Sequence, residues 1–496
     1  MVAYGALLLA ASRTSADHPI KYGPTPREDP VKHVLLLSID GLHALDLANF
    51  IKSDPQSNLA QLTTSGVTYT QASTSQPSDS FPGLMSMITG GSPNSTGVWY
   101  EGSYARDLSP AGSDCSRTGT KAVWDSSIDQ DKKLFDGGGI DPAKLPRDPK
   151  RGCVPVYPHD YIRVNTIFEI VHEAKMRTAW TDKHPSYEMT NGPSGKGVDD
   201  LFTPELAASG ANRDLRSAEL YDDKKIEALV NEINGKNHSG TEAAGTPRLF
   251  GASLQAFSMG QKLAGYIDEL GTPSGPLLES LRCTDESIGK LLGALRRRGL
   301  ADTTLIIVTA KHGESPMDPR KHRIIPATIL EGIIKKADPG VLALAYQDGD
   351  LASIWLNDQS KTEQVVKTLS KSENESATDV EEILAGESLK LIFDDPLRDP
   401  RTPDIVLVPR FGGLYLEAET RFIAEHGGFQ KQDTNVALLV AQSGMQSRII
   451  KSPVQTTQIA PTILRALGLN PAALQAVQKE KTPVLPEQLF DLRRKQ

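Results

Sequence analysis

Short apolar runs punctuate the chain, each ending in a polar or glycine-rich turn: residues 33–40 (HVLLLSID), 177–182 (RTAWTD), 249–257 (LFGASLQAF), 304–310 (TLIIVTA), 404–409 (DIVLVP) and 436–441 (VALLVA). Their apolarity is continuous rather than alternating, which predicts strands covered on both faces, as in a parallel or mixed sheet. Between them lie stretches with helical spacing. Ile167, Phe168, Ile170, Val171 and Ala174 share one face. Leu277, Leu278, Leu281, Ile288, Leu291, Leu292 and Leu295 share another, with Arg296 to Arg298 at the carboxyl end and Gly299 as its cap. A third helix, in TQIAPTILRALGL, is stopped by Gly468.

Strands alternating with helices predict a layered α/β core, with a mostly parallel central sheet between helices. Two segments break the rhythm. Residues 101–160, rich in Gly, Pro, Ser and Asp, read as an elaborated loop region. Residues 320–403 carry short strands and helices of their own and read as a small inserted α/β subdomain. The core then comprises 31–319 and 404–496, preceded by a leader over 1–30.

Composition narrows the function classes. At 496 residues the chain is long enough for one large α/β domain with insertions, or for two or three domains. Its net charge of −8 argues against a nucleic-acid polymer as partner. No apolar run approaches the length of a membrane span. The opening MVAYGALLLAASRTSADHP has a short apolar centre ending in Thr14, Ser15 and Ala16, like the end of a secretory signal peptide over 1–16, although a basic start is missing. Asn94, Asn237 and Asn374 begin glycosylation triplets, in keeping with secretion. Cys115 and Cys153 bracket the loop region and are placed to pair, leaving Cys283 over.

In open α/β sheets ligands gather at the carboxyl ends of strands, so polar residues there carry the candidate chemistry. The first strand ends in Asp40-Gly41, a pair that also suits a plain turn. In TSQPSDSFPGLMSMITGG, Pro82 suits a first helical turn, which places Ser80 just ahead of the helix. Free N–H groups there favour an anion, making Ser80 a candidate nucleophile; Ser78 and Asp79 compete with it for the ordinary capping duty. The run 304–310 delivers Lys311 and His312, and EHGGF places His426 in a glycine-rich turn.

These motifs resemble a family. Asp40 in LLLSIDGL, Ser80 in SFPGLMSMITGGSPNSTGV, His312 in LIIVTAKHG and His426 in EHGGF are similar to the type I phosphodiesterase/nucleotide pyrophosphatase branch of the alkaline phosphatase superfamily. The resemblance spans roughly 31–100 and 300–470. It implies an alkaline-phosphatase-like fold and a Thr or Ser nucleophile between two zinc ions. Asp40 and His312 would be metal ligands on one side, His426 on the other, and Ser80 the nucleophile.

The chain departs from that pattern. The aspartate of the family's Asp-His pair is Lys311, the aspartate and histidine of the preceding strand end fall on Phe257 and Gln261, and the phosphate-contacting asparagine after Phe-Pro is Gly83. A protonated lysine donates three hydrogen bonds and accepts none, so it cannot ligate a metal. It can instead occupy a metal's space and offer its charge to the nucleophile or to a phosphate oxygen. Asp182 and His184, just after a strand, stand as substrate-binding groups, an acid/base pair or replacements for lost ligands.

The expectation is therefore a secreted hydrolase of small anionic phosphodiester or related phosphoryl substrates. Ser80 and Lys311 would be catalytic, Gly83, Asp182 and His184 substrate-binding, and Asp40, His312 and His426 metal ligands. At most one divalent metal, zinc before others, would be bound, or none. The alternatives are a repurposed non-hydrolytic enzyme on the same scaffold and a binding protein that has lost turnover.

Overall fold

The computed structural model describes residues 31–487, so the leader reading over 1–30 lies outside the described residues. A central eight-stranded sheet is built from β1 (His33–Ile39), β2 (Gly66–Tyr69), β3 (Thr178–Thr181), β4 (Asp200–Phe202), β5 (Leu249–Leu254), β6 (Thr304–Thr309), β7 (Leu439–Ala441) and β8 (Arg448–Ile450). Its strand order is β8-β2-β7-β6-β1-β5-β3-β4. The strands β6, β1, β5, β3 and β4 are mutually parallel, while β7 runs antiparallel to β6 and β2. Every residue of β1, β5 and β6 is buried, which is why those runs are mostly apolar, with polar residues near their ends.

Register positions the site. Ser38 of β1 lies opposite both Ser253 of β5 and Thr309 of β6, and Ala252 of β5 lies opposite Thr181 of β3. Parallel strands in this register end at one level. Asp40, Gln255, Lys311 and Asp182 therefore emerge together at the carboxyl edge of the sheet. Gly41 turns β1 away from it at φ +82°, and a Cβ there would lie 1.9 Å from Gln261 Oε1, so the position requires glycine.

The helices follow the periodicity read from the sequence. Gly275–Arg297 is capped by Ser274, whose side chain accepts from the Leu277 N–H, and it buries Leu277, Leu281, Ile288, Leu291, Leu292 and Leu295. Ile167–Glu173 begins with a reciprocal capping box between Thr166 and Glu169. Ile459–Ala466 ends just ahead of Gly468, which has φ +74°.

The sheet formed by strands within 320–403 takes in a strand from beyond that boundary. Ile405–Pro409, read above as a core strand, joins a separate four-stranded sheet with Leu342–Asp348, Leu351–Leu356 and Val380–Ala385. Gly413–Leu416 then pairs with Arg323–Pro326. Continuous apolarity gave the wrong sheet because both faces of this strand are covered within the insertion's surroundings. Ile405 and Leu407 enter the insertion's own core with Leu330, Ile334 and Ile354, while Val406 and Val408 meet Trp99, Tyr100 and Phe393. In the loop region, Cys115 and Cys153 form a disulfide with Cα atoms 5.9 Å apart, and Cys283 is free. Among the described residues no helix is long and apolar enough to cross a membrane.

Candidate functional site

Ser80 opens the buried helix Ser80–Thr89 as its first residue, with Asp79 as the cap. The Asp79 carboxylate accepts from the Ser80 N–H at 2.5 Å and from the Glu101 N–H at 2.9 Å. Asp79 thus wins the capping duty that Ser78 also suited; the Ser78 hydroxyl donates to the Asp433 carbonyl instead. Gly83, one turn in, lets the helix lie directly on the end of β6: a Cβ there would come within 2.0 Å of the Lys311 carbonyl oxygen. Its place is one of close backbone packing, and no side chain could project from it.

The Ser80 hydroxyl lies between two nitrogens. Lys183 Nζ donates to Oγ at 3.2 Å, and His312 Nε2 lies 3.3 Å away. His312 Nδ1 sits 2.9 Å from the Gly313 carbonyl; donation there leaves the lone pair on Nε2, facing Ser80. The His426 ring stacks on His312 with centroids 3.7 Å apart. Asp40, Ser80, Lys311, His312 and His426 are thus brought together from sequence positions hundreds of residues apart.

Lys311 is fully buried and bridges two carboxylates, with Asp182 Oδ1 at 3.1 Å and Asp40 Oδ2 at 3.4 Å. Its ammonium also lies 4.6 Å from the centre of the Tyr187 ring, which stacks on Phe81. Burial opposes its charge, but Asp182 and Asp40 outweigh that and hold the ammonium above the ordinary lysine range. Burial likewise opposes the Asp40 charge; Lys311, then His312 and Lys183, offset it and hold the carboxyl well below its usual range. His312 is driven down to about 3 by burial, with Asp40 opposing and Lys183 assisting. His426 falls well below its usual value through burial, then through His312 and Lys262.

The other predicted groups divide. Asp182 belongs to the cluster but is occupied: besides Lys311 it accepts from Trp180 Nε1 at 3.1 Å and from the Lys183 N–H at 2.9 Å. His184 turns away to Glu205, with Nδ1 2.8 Å from Oε2, and its partners are Glu205 and the Tyr187 ring rather than Ser80 or Lys311. Among the described residues, neither joins the cluster of possible ligand atoms formed by His312, Glu314 and His426. His184 adopts φ +58°, a left-handed conformation uncommon for a residue with a side chain, immediately after Lys183.

Sequence reasoning overlooked several members of the site. Lys183 was visible in the run Asp182-Lys183-His184, but nothing local shows that it reaches Ser80. Glu314, two positions beyond His312, is fully buried, with one oxygen accepting from Ser258 and the other, Oε2, unpartnered. Burial, with Glu425 nearby and Lys262 opposing, pushes it up to about 8. Glu101 also rises to about 8, through burial and the charge of Asp79.

These contacts decide how far a two-zinc arrangement fits. Asp40 Oδ1 accepts from Ser38 at 3.2 Å and Ser253 at 3.1 Å, and Oδ2 accepts from Gln255 at 2.9 Å beside the Lys311 ammonium. Its lone pairs are committed, and an ammonium stands where a second carboxylate would ligate. On the other side Phe257 offers no ligand atom, and the Gln261 amide donates to the Gly41 carbonyl and to Tyr266. Two metals do not fit. Among the described residues one set of donors remains: ligand atoms of His312, Glu314 and His426 lie within 4.8 Å of one another, and His426 Nδ1, like Glu314 Oε2, is buried without a hydrogen-bond partner. That set suits a single divalent ion.

In sequence, no curated protein matches the chain. Among solved structures it superposes on murine ectonucleotide pyrophosphatase/phosphodiesterase 5 at 13% identity and a TM-score of 0.57, covering 88% of this chain and 95% of that one. An inactive form of the murine protein in complex with AMP gives a TM-score of 0.58 at the same identity, covering 88% and 96%. The human protein gives 0.54, again at 13% identity, with 88% and 95% covered. At that identity the likeness establishes the fold alone: a mixed α/β architecture of the alkaline phosphatase type. Residues 34–429 match the family described as type I phosphodiesterase/nucleotide pyrophosphatase, which is most of the chain. By that match, and with the strand-tip residues in the places described, the chain belongs to the type I phosphodiesterase/nucleotide pyrophosphatase family.

Proposed function

We propose that this chain hydrolyses phosphodiester or related phosphoryl bonds with Ser80 as nucleophile, Lys311 taking over part of the role of the usual two-metal site. The observation that carries this reading is the Ser80 hydroxyl at the start of a buried helix, 3.2 Å from Lys183 Nζ and 3.3 Å from His312 Nε2. A helix N-terminus and two lysines supply positive potential where negative charge develops on a phosphoryl group. The Lys311 ammonium, fixed by Asp40 and Asp182, needs no reorganisation as that charge appears. A divalent ion on His312, Glu314 and His426 would add further Lewis-acid charge beside them. The AMP bound by the murine relative supports a small nucleotide-like substrate rather than a polymer.

Cleavage of aryl phosphodiester, phosphomonoester and sulfate ester substrates, measured with and without chelator, tests the reading. Diester turnover that disappears in Ser80→Ala supports it. Acid/base chemistry without hydrolysis is a second reading, favoured by the Glu101 carboxyl, pushed up to about 8 beside Asp79 and therefore able to hold a proton at neutral pH. Turnover of any substrate unaffected by Ser80→Ala would favour that alternative.

Metal content gives an independent check. Dialysed protein is expected to retain at most one divalent ion per chain by elemental analysis, and Glu314→Gln to lower that occupancy. Lys311→Asp, which restores a carboxylate beside Asp40, is expected to raise metal uptake. Two zinc ions retained by the wild-type chain would overturn the account of Lys311.

The Cys115–Cys153 disulfide supports an oxidising compartment, in keeping with secretion. Expression with the native leader in a eukaryotic secretory host is expected to release the protein into the medium, processed near Ala16. Of the glycosylation triplets, Asn94 and Asn237 are both half-buried, but Asn237 Nδ2 donates to the Thr241 hydroxyl in an exposed contact, whereas Asn94 Nδ2 donates to the Ile392 carbonyl and its Oδ1 is buried without a partner. Glycan is therefore expected at Asn237 before Asn94. An unglycosylated chain retained inside the cell would contradict secretion.

A further inference from the structure

Two lysines reach the nucleophile's surroundings, and their settings are opposite. Lys311 is pinned by Asp40 and Asp182, which keeps it a fixed cation. Lys183 touches Ser80 Oγ at 3.2 Å, and among the described residues no carboxylate lies within ion-pair distance of its Nζ. Its side chain is partly buried. Its backbone position is fixed on one side by Asp182, which accepts from the Lys183 N–H, and on the other by the left-handed turn at His184. The remaining neighbour of the hydroxyl, His312 Nε2, belongs to a ring that, with Glu314 and His426, makes up the donor set suited to a divalent ion.

We propose that Lys183 is the general base for Ser80, so that this chain activates its nucleophile with an amine. The inference rests on the reading of Ser80 as nucleophile. In the first step the Lys183 amine takes the Ser80 hydroxyl proton while Oγ bonds to phosphorus; the bond from phosphorus to the leaving oxygen breaks, and that oxygen takes the proton from the Lys183 ammonium. In the second, the amine takes a proton from water as the water oxygen bonds to phosphorus. The Oγ–P bond breaks, and Oγ recovers its proton. A base must be neutral for part of the time; burial, then the Lys311 ammonium, with Lys262 assisting, lowers the affinity of Lys183 for its proton against the opposing charges of Asp40 and Glu101. Paired and unpaired lysines in one pocket thus divide the work of fixed charge and proton transfer.

A fluorophosphonate reagent tests this without knowledge of the natural substrate. It phosphonylates an activated serine with loss of fluoride, and peptide mass spectrometry locates the adduct. Wild type is expected to label at Ser80 at a rate that climbs with pH as Lys183 loses its proton. Lys183→Met is expected to label at least about 100-fold more slowly and without that climb. Lys183→Arg, which keeps the charge but cannot act as a base, is expected to fall by a similar factor, while exposed Lys224→Met labels like wild type. Wild-type rates in Lys183→Arg, a climb that survives in Lys183→Met, or its loss on His312→Gln alone would overturn the proposal. So would failure of wild-type Ser80 to label at any pH. Labelling that depends on Lys183 without diester cleavage would leave this inference standing and remove the proposed substrate. Diester cleavage indifferent to Lys183 would do the reverse.

Discussion

Ser80→Ala is expected to reduce phosphodiester turnover by on the order of 10³-fold or more, because the substitution deletes the attacking atom while leaving the binding groups in place. Structure should be little affected. The helix it opens is capped by Asp79 through a backbone N–H that alanine retains. Lys183 and His312 lose a hydroxyl neighbour, in contacts of 3.2 and 3.3 Å. Ser78→Ala is the matched control. That hydroxyl is fully buried and serves the Asp433 carbonyl, so its loss should weaken stability more than turnover. Steady-state kinetics with an aryl diester, alongside thermal melts of both variants, separates the two effects. Turnover in Ser80→Ala close to wild type would remove Ser80 from the reaction.

Lys311→Met is expected to destabilise the fold by about 3–5 kcal/mol, the usual consequence of removing one member of a buried ionic cluster. The ammonium neutralises two fully buried carboxylates, and methionine of similar length would fill its volume but leave both charges facing each other. The sign of the pH dependence follows from the two shifts. Asp40 is held below its ordinary value of 3.8, so its contribution is complete above that value and vanishes as pH falls through the depressed one. Lys311 is held above its ordinary 10.5, so its contribution is complete below that value and is lost as pH rises through the raised one. Wild type therefore has the full benefit across the neutral range. In Lys311→Met the uncompensated carboxyls take up protons more readily, so the deficit is expected to be largest near pH 7 and to shrink towards pH 4. Urea unfolding midpoints at the two pH values measure this. Equal midpoints for variant and wild type at pH 7 would show that the lysine's pairing contributes nothing.

The strand tips were legible because their cause is local. A run such as LLLSID is apolar for as long as both faces are covered and turns polar where the sheet ends, so Asp40 and Lys311 could be marked before anything was known about their neighbours. The start of the serine helix was legible for the same reason, since Asp79, Ser80 and Pro82 carry the signals of a first turn. Family resemblance added the idea that these tips meet.

Tertiary structure decided what each tip meets. Lys311 was recognisably out of place in its motif, but one of its partners, Asp182, lies 129 positions earlier, and only the parallel register of β1, β3, β5 and β6 brings the two together. The same register sets Gln255 against Asp40, and folding directs Lys183 to Ser80 while turning its neighbour His184 to Glu205. Ile405–Pro409 makes the same point for the fold: its apolar pattern was read correctly as a buried strand, but the sheet it joins depends on partners far along the chain. Periodicity is a property of neighbours in sequence and determines what an element is. Pairing between distant residues determines where it goes, and the charges, free lone pairs and proton acceptors of this site all arise from that pairing.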